Sequence, residues 1–371
     1  MNAIDRIRMR HAQTGVQLRV TIPSHVKPSL LLVGCVDARL NPRDDIGIPD
    51  GAALIHRTIA ATIPAYDPND SSSREFNEVL TGALKAGIRD IAVMGHTHCG
   101  GLEACLCGEH EKLRYVKDHL APLEPVRSNA RNAQEMEDRS VAQIIANIKT
   151  YPVVQEAEQQ GLINLHGWVV HTGSKRIRQM DLRHPERAFE PMPTLASLPE
   201  KASVIDRIAH QQAAYAEKPT REPPRHEPEL IILSDMDAEV NPANDLSIPY
   251  GKAIIYRDVI TPGDSLPLGK KAAIQFAVEA KGVRDVVVLG HYDSRRQGDD
   301  FNQACAQVMR RMERIRQFDF LKGPSERGLV RIHGWVFDNA MHPPAIFEAS
   351  QKGVFAPMME AAAKSAGGVK I

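Results

Sequence analysis

No apolar run in this 371-residue chain approaches the ~20 residues needed to cross a bilayer. The longest, such as LLLVGCV and DVVVLG, are strand-sized, so no membrane span is expected. An excess of charge of one sign is missing too. Lys and Arg number 46, as do Asp and Glu, which leaves no basic surplus to neutralise phosphates and argues against a nucleic-acid partner. The opening stretch MNAIDRIRMRHAQTG lacks the apolar core and small-residue cleavage site of a secretory signal, so export is not expected. Cysteine is scarce. Five in so long a chain, an odd number, do not make a disulfide framework; a reducing, cytoplasmic setting with thiols free for metal is the expectation.

What is present is a repetition. LLLVGCVDARLNPRDDIGIPDGAALIHR, opening at Leu30, returns as LIILSDMDAEVNPANDLSIPYGKAIIYR, opening at Leu230. GIRDIAVMGHTHCGG returns as GVRDVVVLGHYDSRR, Ile4-Asp5-Arg6-Ile7 returns as Ile205-Asp206-Arg207-Ile208, and His-Gly-Trp stands around both Trp168 and Trp335. Landmarks in the same order make two related units the first organising clue. Residues 1–183 form one unit, 184–199 a Pro-rich linker, 200–350 a second unit, and 351–371 a small, polar tail read as a frayed helix end. A second Pro-rich tract, EKPTREPPRHEPE, leads into Leu230.

Within each unit, short runs rich in branched residues alternate with stretches of helical spacing. LLLVG, AALIH, DIAVMG and LINLHGWVV read as buried parallel strands, and SSSREFNEVLTGALKAG as an amphipathic helix ending at Gly87. The alternation predicts an α/β fold with a mainly parallel sheet flanked by helices. Functional groups in such sheets gather beyond the carboxyl ends of the strands. Cys35 follows LLLVG and His96 follows DIAVMG, so both fall at that end.

Cys35, His96 and Cys99 have the chemistry of a zinc site. Two thiolates and an imidazole suit the ion, and three protein ligands leave a fourth tetrahedral position, as in catalytic centres. Singly, each is more simply a packed core residue; together at strand ends they point to a metal. Asp37 and Arg39, two and four residues beyond Cys35, place a carboxylate beside a guanidinium that keeps it ionised. The plainer reading is an ordinary surface ion pair.

Cys-x-Asp-x-Arg, then His-x-x-Cys some sixty residues on, then a His-Gly-Trp strand, resembles the β-class carbonic anhydrase family over nearly all of residues 1–180. The resemblance implies zinc on Cys35, His96 and Cys99, with Asp37 and Arg39 as a catalytic dyad. It implies reversible hydration of carbon dioxide to bicarbonate by a zinc-bound hydroxide that the dyad orients. Gly100 and Gly101 match the family's small residues after the second cysteine. The family builds its sites at the interface of a tight dimer, and the two units are similar to that dimer fused in one chain. An internal pseudodimer, open to further homo-oligomerisation, is the expectation, with the Ile-Asp-Arg-Ile segments as exchanged helices. One departure concerns the loop after the second strand, Arg57-Thr58-Ile59-Ala60, where the family usually has Arg-Asn-Ala-Gly. Arg57 and that loop border the expected substrate pocket, which keeps open carbonyl sulfide or carbon disulfide hydrolysis at the same site. A non-catalytic zinc scaffold is the alternative from another class.

The second unit departs much further. Cys35 has become Asp235, Arg39 Glu239 and Cys99 Ser294, while His96 persists as His291. One zinc per chain is therefore expected, the second unit being a structural partner. Asp235, Asp237, Glu239, Asp293 and His291 holding a hard cation is the other reading. His98 beside the metal motif, or His56 or His110, could relay protons. Cys105 and Cys107 read as packing residues, and Arg310, Arg311 and Arg314 as a solvated helix face.

Overall fold

The computed structural model describes residues 3–14, 27–216, 218–236, 240–259, 267–292, 300–338, 345–350 and 353–358. Asp237, Glu239, Asp293, Ser294 and the 359–371 tail lie outside the described residues. The first half contributes β1 (Leu30–Cys35), β2 (Ala53–Thr58), β3 (Asp90–His96), β4 (Asn164–Val170), β5 (Ile177–Gln179) and β6 (Glu190–Pro191). The second contributes β7 (Leu230–Asp235), β8 (Ala253–Asp258), β9 (Asp285–Tyr292), β10 (Arg331–Asp338), β11 (Ala345–Ala349) and β12 (Phe355–Pro357).

All twelve join one sheet in the order β12-β11-β10-β9-β7-β8-β2-β1-β3-β4-β5-β6. Outward from the centre, each half presents its strands in the same sequence. The central four of each half are parallel, and the outer hairpins are antiparallel. The halves meet where β2 and β8 pair antiparallel at Arg57 and Arg257. The seam is tightened by the Ile255 amide donating to the Val36 carbonyl at 2.8 Å.

Side chains alternate across the sheet, as the period of two requires. Leu31 and Val33, like Ile231 and Leu233, face one large core continuous across both halves. Leu30 and Leu32 face a second core with Trp168, and Leu230 and Ile232 a third with Trp335. The helices closing those two smaller cores come from the opposite half. Ile4 and Ile7 of the Ala3–Thr14 helix pack with Trp335, whereas Val204 and Ile208 of the Val204–Ala216 helix pack with Trp168. Arg8 secures the first crossing, its Nη2 donating to both Glu348 carboxylate oxygens at 2.7 Å.

Local signals explain the element ends. Asp70 caps the Ser71–Lys85 helix by accepting from the Ser73 amide at 2.7 Å; Phe76, Val79, Leu80 and Ala83 form its buried stripe, and Gly87 turns the chain at φ +85. Two boundaries differ from the sequence reading. The 184–199 segment is not a simple surface linker, because Phe189 and Met192 are buried and β6 extends the first half's edge. Nor does the second half stop at 350, since β12 pairs with β11. Both apolar side chains lie in tracts whose prolines obscured any strand periodicity.

Candidate metal centre

Cys35 ends β1, His96 ends the neighbouring β3, and Cys99 lies one turn beyond, at the start of the Gly100–Cys107 helix. Parallel pairing of β1 with β3 thus brings together residues sixty positions apart. Their ligand atoms all lie within 4.8 Å of one another, and all three residues are buried. The two sulfurs are 3.8 Å apart. Two sulfurs each about 2.3 Å from a tetrahedral zinc would be about 3.8 Å apart, so the spacing fits that ion. His96 Nδ1 lies 3.0 Å from the Thr97 carbonyl, which assigns the proton to Nδ1. Nε2 is left buried without a hydrogen-bond partner. A buried imidazole nitrogen with no protein partner beside two thiols suits the donor set of a soft cation.

The electrostatics agree. The hydrogen bond with Cys99 holds the Cys35 thiol below its ordinary range, despite burial. The same bond, with burial, pushes the Cys99 thiol up, as two buried thiols sharing one hydrogen bond require.

Asp37 and Arg39 are both buried, not a surface pair. The Arg39 backbone amide donates to Asp37 Oδ1 at 2.9 Å, and its Nη2 and Nε reach Oδ2 at 2.6 and 2.9 Å. Burial alone would raise the Asp37 pKa. The charge of His96 and the hydrogen bonds from Arg39 outweigh it, with help from His226, and hold the carboxyl far below its usual range. Asp37 Oδ2 lies 3.9 Å from His96 Nε2, placing the carboxylate beside the centre without joining it.

The other candidates have mixed fates. Arg57 is buried, donating to the carbonyls of Cys35 at 2.7 Å, Asp37 at 2.6 Å and Leu40 at 3.3 Å. It therefore fixes the loop carrying the candidate ligand Cys35 and the Asp37–Arg39 pair. His98 is exposed, at φ +58; its carbonyl accepts from Arg39 Nη2 at 2.5 Å and its amide donates to Glu137 at 2.8 Å. A non-glycine residue there costs about 1–2 kcal/mol, repaid by fixing the turn between His96 and Cys99 to the dyad. Gly101 is needed for close approach, because a Cβ would lie 2.6 Å from Ile59 Cγ2. Gly100 sits on a cleft of about 610 Å³ at the seam, facing Phe276 and Lys281. His110 lies 3.1 Å from the Ala104 carbonyl and 2.9 Å from Glu124, so both ring nitrogens are engaged in packing beside Cys105. His56 is buried at the seam, with Nδ1 3.4 Å from Asp258.

Two residues occupy places that residue order does not show. Arg311 does not sit on a solvated face. It turns inward to pair with Asp235 at 2.9 Å, with 15% of its side chain exposed. His226, in the second Pro-rich tract, lies 3.6 Å from Asp37 Oδ2. A histidine among surface-type prolines was the only signal in the sequence, and it could not reveal its target. His291 and Asp235 do not join a metal-ligand group among the described residues.

A family model described as Carbonic anhydrase matches residues 30–177. Carbonic anhydrase 1 of Escherichia coli O157:H7 is 30% identical over 188 residues, spanning 46% of this chain and 83% of that protein. A carbonic anhydrase of Pseudomonas aeruginosa is 29% identical over 175 residues, 44% of this chain and 79% of its own. Among solved structures, the beta-carbonic anhydrase CcaA is similar over 55% of this chain and 88% of its own, with 20% identity and a TM-score of 0.41.

Proposed function

The chain belongs to the β-class carbonic anhydrase family, and from that premise we propose that its first half catalyses reversible hydration of carbon dioxide to bicarbonate. Cys35, His96 and Cys99 would hold one zinc ion. Such an ion supplies the positive charge that brings water ionisation down to neutral pH. Asp37 accepts a hydrogen bond from the attacking water at Oδ2 and so aims a lone pair at carbon. Arg39 keeps that carboxylate ionised and oriented, and Arg57 holds the backbone on which both are built. Burial of the dyad excludes bulk water, which strengthens each of these contacts.

The observation that carries this reading is the dyad's position beside the orphaned His96 Nε2. A merely structural zinc site has no use for a buried, guanidinium-pinned carboxylate beside its ligands. We read the two halves as an internal pseudodimer, supported by the crossed helices and the continuous sheet. Among the described residues no helix is long and apolar enough to cross a membrane, and all five cysteines are free thiols, which favours a reducing, cytoplasmic setting.

Asp37→Asn tests the assignment. It should keep zinc at wild-type occupancy while lowering kcat/KM for carbon dioxide about a hundredfold. Stopped-flow hydration with parallel elemental analysis reads both. Full activity in a zinc-loaded Asp37→Asn protein would sink the mechanism, and faster turnover of carbonyl sulfide or carbon disulfide by the wild type would reassign the substrate.

A further inference from the structure

His226 belongs to the second half, in the tract between the Val204–Ala216 helix and β7. Its neighbours Arg225 and Glu227 point outward, with 89% and 56% of their side chains exposed, whereas the His226 side chain is only 9% exposed. Both its ring nitrogens are buried without a hydrogen-bond partner. A packed histidine ordinarily satisfies at least one, so the ring faces something that protein atoms do not supply. Asp37 Oδ2 is near both orphaned imidazoles, 3.6 Å from His226 Nδ1 and 3.9 Å from His96 Nε2.

The tract is seated firmly. Arg39 Nη1 donates to the Pro224 carbonyl at 3.4 Å, and the Glu227 amide donates to the Gly251 carbonyl at 3.0 Å. In the first half, a Cβ on Gly173 would come within 2.0 Å of the Arg221 carbonyl oxygen, so the absent side chain there makes room for the tract. The packing therefore aims His226 at the site of the other half.

Building on the carbonic anhydrase reading, we propose that His226 is the proton-transfer residue of that site, a catalytic group delivered across the seam. Carbon dioxide and water give bicarbonate and one proton. That proton leaves the water held at Asp37 Oδ2 for His226 Nδ1, which lies 3.6 Å from that oxygen, and the imidazolium then gives a proton up to buffer, regenerating the neutral ring. Asp37, pinned by the backbone amide, Nε and Nη2 of Arg39, serves as the aimed acceptor and does not store the proton. The charged and titratable groups facing His226 are Asp37, Arg39, Cys35 and Lys281. Burial outweighs them and draws the ring below its ordinary pKa.

The test compares wild type, His226→Ala, His226→Gln and Gly173→Ala, each assayed for zinc content and for hydration across a range of buffer concentrations. Expected are unchanged zinc, kcat/KM within about twofold for the His226 variants, and kcat at low buffer lowered about tenfold. Added imidazole should restore kcat in His226→Ala, and Gly173→Ala should lower low-buffer kcat by displacing the tract. Carbon-13 histidine NMR gives a readout independent of turnover. The His226 ring signal, assigned by its loss in His226→Gln, should shift when Asp37→Asn is introduced. Wild-type kcat in His226→Ala at low buffer, an unmoved ring signal, or a parallel fall in kcat and kcat/KM without imidazole rescue would overturn the proposal. A zinc-loaded wild type that does not hydrate carbon dioxide would instead remove the functional reading, and this inference with it.

Discussion

The two halves carry the same frame to the same place and then part. In the first, β1 ends at Cys35, whose sulfur lies 3.8 Å from Cys99 and near an orphaned imidazole. In the second, β7 ends at Asp235, whose carboxylate meets the Arg311 guanidinium at 2.9 Å. The arginine beneath is used alike: Arg57 Nε donates to the Cys35 carbonyl at 2.7 Å and Arg257 Nε to the Asp235 carbonyl at 3.1 Å. The strand end thus remains a place for negative charge in both halves. In one that charge is suited to a metal, and in the other a side-chain cation answers it. The fold tolerates either residue at that strand end when a neighbouring group keeps the local charge in balance.

The largest expected effect sharpens this contrast directly. Elemental analysis after dialysis against a weak chelator should give one zinc per chain, and Cys99→Ser should bring it near zero with hydration down about a thousandfold or more, since a neutral hydroxyl replaces a thiolate. Two zincs per chain would break the comparison. Next comes the substitute ion pair. Arg311→Ala should destabilise the protein by about 2–3 kcal/mol because it strands a largely buried carboxylate. The double variant with Asp235→Ala should recover most of that loss in urea unfolding; no recovery would mean that the pair does not couple.

A pH dependence marks the crossing of the first helix onto the second half. Burial would raise the Glu348 pKa, but hydrogen bonds from His333 and Arg8 outweigh it and bring it down to about 2 from 4.5. A depressed carboxylate contributes stability that is fully present above its unfolded pKa and lost as pH falls through the folded one. The stability gap between wild type and Glu348→Gln should therefore be widest above pH 4.5 and close as pH approaches 2, read by urea titration at stepped pH. The smallest effect concerns the seam loop. Ala60 sits at φ 54 and ψ 22, a region that costs a residue with a Cβ. Ala60→Gly should raise stability by about 0.5–1 kcal/mol, measured by thermal unfolding. A loss would show that packing of the methyl group outweighs the backbone strain.

Much of the first half's site was legible because its signals are local. Cys35 and His96 each close an apolar run, and Asp37 and Arg39 follow within one loop, so spacing alone placed them at one sheet edge. Arg57 was legible as a recurring residue but not as a backbone clamp, since nothing in its neighbourhood specifies three carbonyl partners. Arg311 was misread because its helix carries Arg310, Arg311 and Arg314 together, and composition cannot tell which of them turns inward. The strand at Glu190–Pro191 was hidden by the prolines around it.

By itself, then, the sequence determined the repeated α/β frame, the candidate ligand set and the inequality of the halves. Each follows from side-chain chemistry and short-range periodicity, which are written in residue order. Tertiary structure alone decided that the Ala3–Thr14 and Val204–Ala216 helices cross over, that Arg311 answers Asp235, and that His226 reaches Asp37 from 189 positions away. Those pairings depend on how two surfaces dock, and docking is governed by the fit of whole faces, which no local pattern encodes.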